Sequence, residues 1–421
     1  MRGSSDGGVD FATRAREELG FSRWWQLVAA AVMMGLVGPY KYIWSSIQRP
    51  LATKLGISLP ALGFVFTLYV FFQVGTQFPA GWYRDRFGPR LVTLLAGVLA
   101  GGGYIGLAYA TQLWQIYVLY SLGSIGVGIV YMVAVNTALK WFPDRRGFAT
   151  GLGTMAFATG SVAFIPYVRA NATVGAVASV LQNVGVLVGV GILAGAVILR
   201  DPPADWPEGE DTDGNTETDP STAEDSGTRQ YTWREALNTW QFRVLLGVFV
   251  GIAAANLMLA ANLVPFAVNA GMGPAVVTTA AAILPVADGL GRLSSGSLSD
   301  RIGRKRTMIA TFSLCGIGLV SLTVAGAVGS SVIFLGAVVL ATFFEGTQYS
   351  LLPSVVADYY GQQNSSTNYA ALYTVQIASG VFAGVGVGWL VTVVGWSPTF
   401  LIGGGLALAA GIGVISLRPP A

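Results

Sequence analysis

The residues best suited to chemistry in this chain are charged side chains inside long apolar stretches. Asp288 and Arg292 stand four residues apart in the run from 280 to 300, AAAILPVADGLGRLSSGSLSD. In a helix this spacing places both side chains on one face, where opposite charges neutralise each other. A charge at the centre of a bilayer costs ~3 kcal/mol on insertion scales, so such residues face the protein interior or a water-filled path. The pair therefore predicts one wall of a polar cavity.

Two further charges, Lys41 and Glu345, lie in other apolar stretches, and the four charges sum to zero. Because isolated buried ions are costly, we expect the balanced set to converge on one cavity. The planar guanidinium of Arg292 matches a carboxylate bidentately, whereas a buried lysine can lose its proton and so suits coupling. Structural alternatives remain open: a mutually neutralised pair in the 280–300 run, Lys41 reaching the membrane interface, and a structural ion pair at Glu345.

The energetics of uptake connect this cluster with protons. An anion entering a cell held negative inside works against ~2.3 kcal/mol per charge per 100 mV. Carrying one proton with each monovalent anion removes this cost. If substrate binding to Arg292 weakens its pair with Asp288, the aspartate loses a nearby positive charge, which favours its protonated form. Asp288, Lys41 and Glu345 are the proton-coupling residues that we predict.

The composition places these charges in an integral membrane protein. The chain has 421 residues, of which 53% are hydrophobic and 11% charged, and its mean hydropathy is +0.60. Soluble domains average about 25% charged residues. The sequence contains no histidine and a single cysteine, Cys315. We therefore expect no metal site, no cofactor and no intrachain disulfide.

The apolar residues form about twelve segments, each near the ~20 residues that a helix needs to cross the hydrocarbon core. They predict an all-α membrane protein with 12 transmembrane helices in two six-helix bundles. The predicted helix cores are 25–47, 61–83, 91–111, 114–140, 147–169, 174–199, 242–268, 274–299, 305–327, 331–357, 366–392 and 396–417.

The domain boundaries follow from one long hydrophilic stretch between the sixth and seventh segments. Because this stretch is too polar and acidic to bury a core, it is predicted to be a disordered linker. The predicted parts are an N-terminal lead, a first bundle, an acidic linker and a second bundle, at 1–23, 24–200, 201–240 and 241–421.

The positions of lysine and arginine predict the orientation. Basic residues precede the first helix and fill the loops after the second, fourth and eighth, while the opposite loops carry little more than Arg49, Lys54 and Arg169. Because positively charged loops stay in the cytoplasm, both termini are predicted to be cytoplasmic, in a multi-pass protein of the cell membrane. The N-terminal lead has no small-residue cleavage site, so we expect it to be retained rather than removed as a signal peptide.

A ten-residue motif occurs twice and indicates two related halves. GWYRDRFGPR closes the second helix and GSLSDRIGRK closes the eighth, at an offset of 300 − 85 = 215 residues. Parallel halves of this kind place a substrate site at their interface near mid-depth.

The motif resembles the G-x-x-x-D-R-x-G-R-R loop of the major facilitator superfamily. The resemblance implies a rocker-switch transporter whose cytoplasmic side is latched by ion pairs of these loops, or else loops that only fix topology. The implied gating residues are Gly81, Asp85, Arg86, Gly88, Asp300, Arg301 and Gly303.

Within this superfamily the chain is similar to the oxalate:formate exchanger branch. The similarity covers 22–90, 126–151 and 292–307 and is clearest in the phrase GVGIVYMVAVNTALKWFPDRRGFATG. That branch implies an arginine in helix eight and a lysine in helix eleven for a dianion. Arg292 matches the first position, but Gln376 stands at the second, which disfavours oxalate.

The chain also resembles the proton-coupled monocarboxylate transporters. These pair a helix-one lysine with an aspartate and an arginine four residues apart in helix eight, and Lys41, Asp288 and Arg292 match all three. The run 141–160 is similar to their loop before helix five. This resemblance implies a small monocarboxylate anion and a proton as the transported species.

Aromatic and amide residues complete the predicted substrate site, together with Gln376. By the resemblance, Tyr131 and Tyr349 offer hydroxyl groups to a carboxylate and Tyr373 walls the cavity. Asn262 is a further candidate. The alternative for each is a hydrogen bond to a neighbouring backbone, which is common in transmembrane helices.

The leading hypothesis is a secondary transporter that carries a small monocarboxylate, such as lactate or pyruvate, together with a proton. It is expected to act as a monomer in the lipid bilayer, without a nucleic-acid partner. The alternative is an organic-anion exchanger of the oxalate:formate kind. A membrane sensor is disfavoured because the linker is too short and polar for a signalling domain. An enzyme is disfavoured because no nucleophile, metal or phosphate motif stands out.

Overall fold

A computed structural model of the chain describes residues 15–16, 20–142, 146–203, 230–361 and 365–420. Every regular element within these residues is helical, because helices satisfy all backbone polar groups internally, as the hydrocarbon core requires. Eleven of the described helices are long and apolar enough to cross a membrane, and a pair bent by 50°, Trp24–Tyr42 with Trp44–Leu55, forms a twelfth span. The predicted fold class is confirmed.

Each span is numbered here as one helix, whether continuous or interrupted. The first six are α1 (Trp24–Val37, Pro39–Tyr42 and Trp44–Leu55), α2 (Leu59–Phe87), α3 (Pro89–Tyr109), α4 (Leu113–Trp141), α5 (Arg146–Thr159, a 3-10 turn Gly160–Ala163, and Phe164–Asn171) and α6 (Val177–Ile198). The second six are α7 (Trp240–Asn269), α8 (Pro274–Ile302), α9 (Arg304–Val328), α10 (Ser331–Glu345 and Thr347–Tyr360), α11 (Ser365–Tyr373, Gln376–Val381, a π-helical segment Phe382–Gly386, and Val387–Val394) and α12 (Trp396–Ser416).

The largest boundary error concerns α1, whose predicted core ends at 47 although the helix continues to Leu55. Polar residues continue the helix because they bond to α7 of the other bundle. The Gln48 side chain donates to the Ala261 carbonyl oxygen at 2.9 Å, and that of Arg49 to the Pro265 carbonyl oxygen at 3.4 Å.

The end of the predicted linker is ordered rather than disordered. A short helix, Trp233–Asn238, begins with a reciprocal capping box between Thr232 and Glu235. The preceding Tyr231 donates its backbone N–H to the Tyr360 carbonyl oxygen at 2.9 Å. Local capping and this contact with the end of α10 order the segment. Residues 204–229 of the predicted linker lie outside the described residues.

Within the described residues, the main contacts between the two bundles are made by three pairs of helices. α2 packs against α11, α5 against α8, and α1 against α7. Because α8 corresponds to α2 and α11 to α5, the first two contacts are equivalent under the repeat. A path between the bundles therefore runs along these helices.

The bundles are joined on the side remote from the termini. In addition to the α1–α7 bonds, the Thr67 hydroxyl donates to the Gly380 carbonyl oxygen at 3.1 Å and accepts the Val385 N–H at 3.3 Å. Gly63 and Gly384 approach so closely that a Cβ on Gly63 would lie 2.6 Å from the Gly384 oxygen. The π-helical segment of α11 thus lies against α2 and closes this side.

Substituting alanine for Gly384 should weaken this closure, because its Cβ would overlap the Gly63 carbonyl oxygen and the Thr67 hydroxyl. We expect a cysteine replacing the buried Gln48 to react with a water-soluble maleimide several-fold faster in the Gly384→Ala background. Gly386→Ala is the control, because the nearest atoms to its Cβ belong to its own span. Equal labelling rates with and without Gly384→Ala would contradict the closure of this side by α2 and α11.

Candidate substrate-binding site

A small cavity lies between the two bundles. Its volume is about 20 Å³, against the ~10–15 Å³ that a single water requires. A carboxylic acid therefore enters only if the walls move. Side chains from both bundles line it: Lys41, Tyr69, Val70, Gln73, Tyr131, Phe157, Leu257, Arg292, Tyr349, Tyr373 and Gln376.

Interrupted helices supply several of these side chains. α1 breaks at Gly38 and again at Ile43, which brackets Lys41, and α10 breaks at Gly346, directly after Glu345. Irregular backbone at membrane depth occurs where it is buried in protein or lines a cavity. The breaks therefore occur where buried polar side chains of these helices make contacts in the interior.

The Asp288 carboxylate is the most heavily bonded polar group of the site. Arg292 holds it bidentately, with Nε to Oδ1 at 2.9 Å and Nη2 to Oδ2 at 2.7 Å. The Tyr42 hydroxyl donates to Oδ2 at 2.5 Å, and Lys41 Nζ lies 3.9 Å from the same oxygen. Asp288 lies behind the cavity wall and is fully buried, whereas Arg292 lines the cavity and is 8% exposed. Lys41, Asp288 and Arg292 thus lie together, and of the four predicted charges Lys41 and Arg292 line the cavity.

Lys41 also contacts an amide that the sequence prediction missed. Its Nζ donates to Asn256 Oδ1 at 2.9 Å, across the interface between the bundles. The offset of the repeat could have identified this residue, since 256 − 41 = 215. Two equivalent residues that touch must lie beside the axis relating the halves. Tyr42 was missed as well, and no sequence signal distinguished it.

Glu345 is the fourth predicted charge and lies near Asn256. It is fully buried, and neither carboxylate oxygen has a hydrogen-bond partner among the described residues. It is not part of the cavity lining. The structure therefore places Glu345 beside the charged cluster rather than in the cavity.

Aromatic side chains orient the polar wall. The Arg292 guanidinium carbon lies 4.6 Å from the centre of the Tyr349 ring, and Gln376 Nε2 donates to the Tyr349 hydroxyl at 3.0 Å. Tyr131 makes an edge contact with Phe157, with ring centres 5.7 Å apart. Tyr131 and Tyr349 are equivalent positions of the two bundles, since 349 − 131 = 218 and the starts of α4 and α10 differ by 331 − 113 = 218.

Tyr373 and Asn262 differ in their relation to the cavity. Tyr373 lines it, with its ring centre 6.4 Å from that of Tyr349. The Asn262 amide donates to the carbonyl oxygens of Met258 at 3.2 Å and Ala383 at 3.1 Å, outside the cavity lining. These bonds tie α7 to the π-helical segment of α11. Asn262 thus makes the backbone hydrogen bonds that were the alternative to a substrate contact.

The predicted gating glycines occupy tight positions. Gly88 and Gly303 end α2 and α8 with φ of 80° and 89°, a conformation that favours glycine. Gly81 packs against the Met132 side chain of α4. Glycine at these three positions thus has a steric reason.

Of the four charged gating residues, the structure describes the side chains of the two arginines. Arg86 is exposed and lies 4.4 Å from the Trp82 ring centre, and Arg301 is exposed at the end of α8. The side chains of Asp85 and Asp300 lie outside the described part of the structure. The latch that these residues would form therefore stays a prediction.

On the side of the protein where both termini lie, ion pairs connect helices within each bundle. Arg84 of α2 and Lys140 of α4 both bind Asp201, which follows α6, at 2.7 and 3.2 Å. Arg304 of α9 binds Asp358 of α10 at 2.6 Å. These pairs support each bundle as a unit.

Gly346 offers a test of how tightly the charged pair is packed. An alanine Cβ there would overlap the Asp288 carboxylate and lie 2.9 Å from Arg292 Cγ. We expect Gly346→Ala to lower the free energy of unfolding by about 1–3 kcal/mol, a typical cost of overpacking, measured by thermal unfolding in detergent. Gly336→Ala on the same span is the control, since its Cβ would meet nothing within 4 Å. A Gly346→Ala protein as stable as this control would refute the close packing.

Comparison with known proteins supplies the family. The Major Facilitator Superfamily model matches residues 27–376 and 244–421. The oxalate:formate antiporter of Oxalobacter formigenes is 31% identical over 90% of this chain and 88% of its own length. Monocarboxylate transporter 12-B of Danio rerio is 25% identical over 75% of this chain and 70% of its own length.

Solved structures of transporters share the fold at low sequence identity. A D-xylose-proton symporter superposes with a TM-score of 0.73 at 15% identity, covering 94% of this chain and 98% of the other. A xylose transporter from E. coli in a partially occluded inward open conformation gives 0.71 at 15% identity, covering 94% and 100%. With its two matched six-helix bundles and a charged cavity between them, this chain belongs to the Major Facilitator Superfamily and is a membrane transporter rather than an enzyme.

Proposed function

We propose that this protein carries a small monocarboxylate anion together with a proton by alternating access. The observation that carries the proposal is the position of Arg292, whose guanidinium lines the cavity while both of its hydrogen bonds go to Asp288. A guanidinium in this position is available to a substrate that competes with Asp288 for the same planar donors. A carboxylate is the anion that competes on equal geometric terms.

The charges around the cavity favour a single negative charge on the substrate. With Asp288 ionised and Glu345 protonated, Lys41 and Arg292 leave the cluster one positive charge in excess. One monocarboxylate neutralises it, so anion and proton cross together without net charge. Protonation and anion binding thereby assist each other, as symport requires.

Gln376 supports the choice of a monocarboxylate. It lines the cavity with a neutral amide that donates to Tyr349, so this position offers hydrogen bonds rather than a second cation. Tyr131 and Tyr373 complete this wall, with hydroxyl groups suited to a lactate- or pyruvate-like oxygen. The similarity to monocarboxylate transporter 12-B agrees with this assignment.

Exchange of organic anions is the second candidate, and the 31% identity with the oxalate:formate antiporter favours it. In an exchanger the loaded carrier crosses in both directions and the empty one does not. Lys41 and Arg292 would then hold the anion without a transported proton. The chemistry of the site is shared between the two candidates, and the proton dependence separates them.

The arrangement of the bundles fits one stage of alternating access. With both termini in the cytoplasm, as the basic loops predict, the closed side formed by α2 and α11 faces outward. Substrate would enter by separation of these two helices. We place the transporter in the cell membrane and expect one chain to suffice, because the cavity is built within one chain.

The deciding experiment uses purified protein in proteoliposomes with radiolabelled lactate. An acidic exterior should drive lactate accumulation without any internal counter-substrate. Arg292→Ala should reduce both uptake and counterflow at least a hundredfold, whereas Arg292→Lys, which keeps the charge but loses the planar fork, should retain a small fraction. Uptake that needs internal anion and ignores the pH gradient would establish exchange instead.

Gln376→Lys tests the preference for one carboxylate. A second cation in the cavity lining, in addition to Arg292, should favour dianions, so oxalate should compete at least tenfold better against labelled lactate than it does in the unaltered protein. Gln376→Met, which removes the amide without adding charge, is the control. Unchanged competition by oxalate would show that this position does not select substrate charge.

A further inference from the structure

The two buried carboxyl groups of the site have opposite surroundings. Asp288 receives two bonds from Arg292, one from Tyr42, and the nearby charge of Lys41. Glu345 is equally buried, yet neither of its oxygens has a hydrogen-bond partner among the described residues. An ionised carboxylate without partners in a dry interior is costly, and protonation removes that cost.

Asn256 stands between Glu345 and the cavity wall. Its Oδ1 accepts the bond from Lys41 at 2.9 Å, and a lysine can only donate, so its Nδ2 points elsewhere. Within the described part of the chain this Nδ2 has no acceptor, and Glu345 is its neighbour. A small rotation of either side chain joins the unpaired donor to an unpaired acceptor. The result is a chain of hydrogen bonds from Glu345 through Asn256 to Lys41.

Other groups also act on Glu345, so it does not titrate alone. The positive charges of Lys41 and Arg292 and the amide of Asn256 stabilise an ionised Glu345, whereas the negative charge of Asp288 repels it. The titratable and charged groups that face Glu345 are Lys41 and Tyr42 from α1, Asp288 and Arg292 from α8, Cys315 from α9 and Tyr349 from its own span. No second carboxylate in this set lacks a partner.

We propose that Glu345 carries the transported proton and that Asn256 transmits its protonation state to Lys41 at the cavity wall. This inference rests on the proposed symport and reassigns the proton from Asp288, which stays ionised as the counter-ion of Arg292. Protonated Glu345 accepts a weak bond from Asn256 and leaves Lys41 free to attract the anion. Deprotonated Glu345 draws Asn256 and, through it, Lys41 away from the cavity.

The test compares four full-length proteins in proteoliposomes, namely the unaltered chain, Glu345→Gln, Asn256→Ala and Asp358→Asn, with labelled lactate as the first probe and oxalate as the second. Glu345→Gln imitates the protonated side chain. Asp358→Asn is the matched control, because it neutralises a carboxylate on the same span at the half-exposed end, where Arg304 is the partner. Binding at different pH values, counterflow and acid-driven accumulation are measured for each.

In the unaltered protein, lactate binding should weaken about tenfold for each pH unit above the titration of Glu345, as linkage of one proton to one anion requires. Asp358→Asn should behave in the same way. Glu345→Gln should bind at every pH with the affinity of the acidic form, keep counterflow, and lose at least tenfold of the acid-driven accumulation. Asn256→Ala should also make lactate binding depend less on pH than it does in the unaltered protein.

Two outcomes overturn the inference. Wild-type pH dependence in Glu345→Gln would exclude Glu345 as the proton site, and loss of counterflow together with uptake would assign it a structural role. If the unaltered protein shows counterflow but no acid-driven accumulation, the proposed symport fails instead. The proton site is then judged by the pH dependence of binding alone, which must disappear in Glu345→Gln.

Discussion

The polar interior depends on one carboxylate that is satisfied from both bundles. Asp288 of α8 is held by Arg292 of its own helix, and by Tyr42 and Lys41 of α1 in the other bundle. Because a charge buried away from water is stable only while it is paired, these contacts join the two bundles through the site itself. In the proposed function, a substrate that binds Arg292 would alter the bonds around Asp288 that join the bundles. Binding would thereby be linked to the relative movement of the bundles.

Breaks in the helices allow this network to form. α1, α5, α10 and α11 are interrupted and each supplies a residue to the cavity lining, while α2, α3 and α4 run unbroken. The interruption at Gly346 brings α10 against the Asp288 carboxylate at a distance that no side chain would permit. The π-helical segment of α11 similarly fits against α2 at Gly63 and Thr67. Departures from regular helix are thus concentrated where the bundles meet.

The repeat explains how similar bundles form an asymmetric site. Equivalent positions carry Lys41 and Asn256, which touch beside the axis, and Tyr131 and Tyr349, which both line the cavity. The second bundle alone contributes both carboxyl groups and the arginine. The proposed binding and proton chemistry therefore lie mainly in one bundle, with Lys41 as the contribution of the other. Because Lys41 belongs to the first bundle, a relative motion of the bundles changes its distance from the charges of the second bundle.

The sequence by itself determined the twelve spans, the two halves and the residues that must avoid lipid, because apolar length and the cost of a buried charge are local properties. It also identified Asp288 and Arg292 as partners, since a spacing of four residues places them on one helix face, and the family resemblance added Lys41. Only the tertiary structure decided that α1 continues to Leu55, that Tyr42 and Asn256 join the network, that Asn262 bonds to the backbone, and that Glu345 has no partner among the described residues. Each of these features depends on which helices lie side by side and at what depth, and periodicity along a single chain does not encode that information.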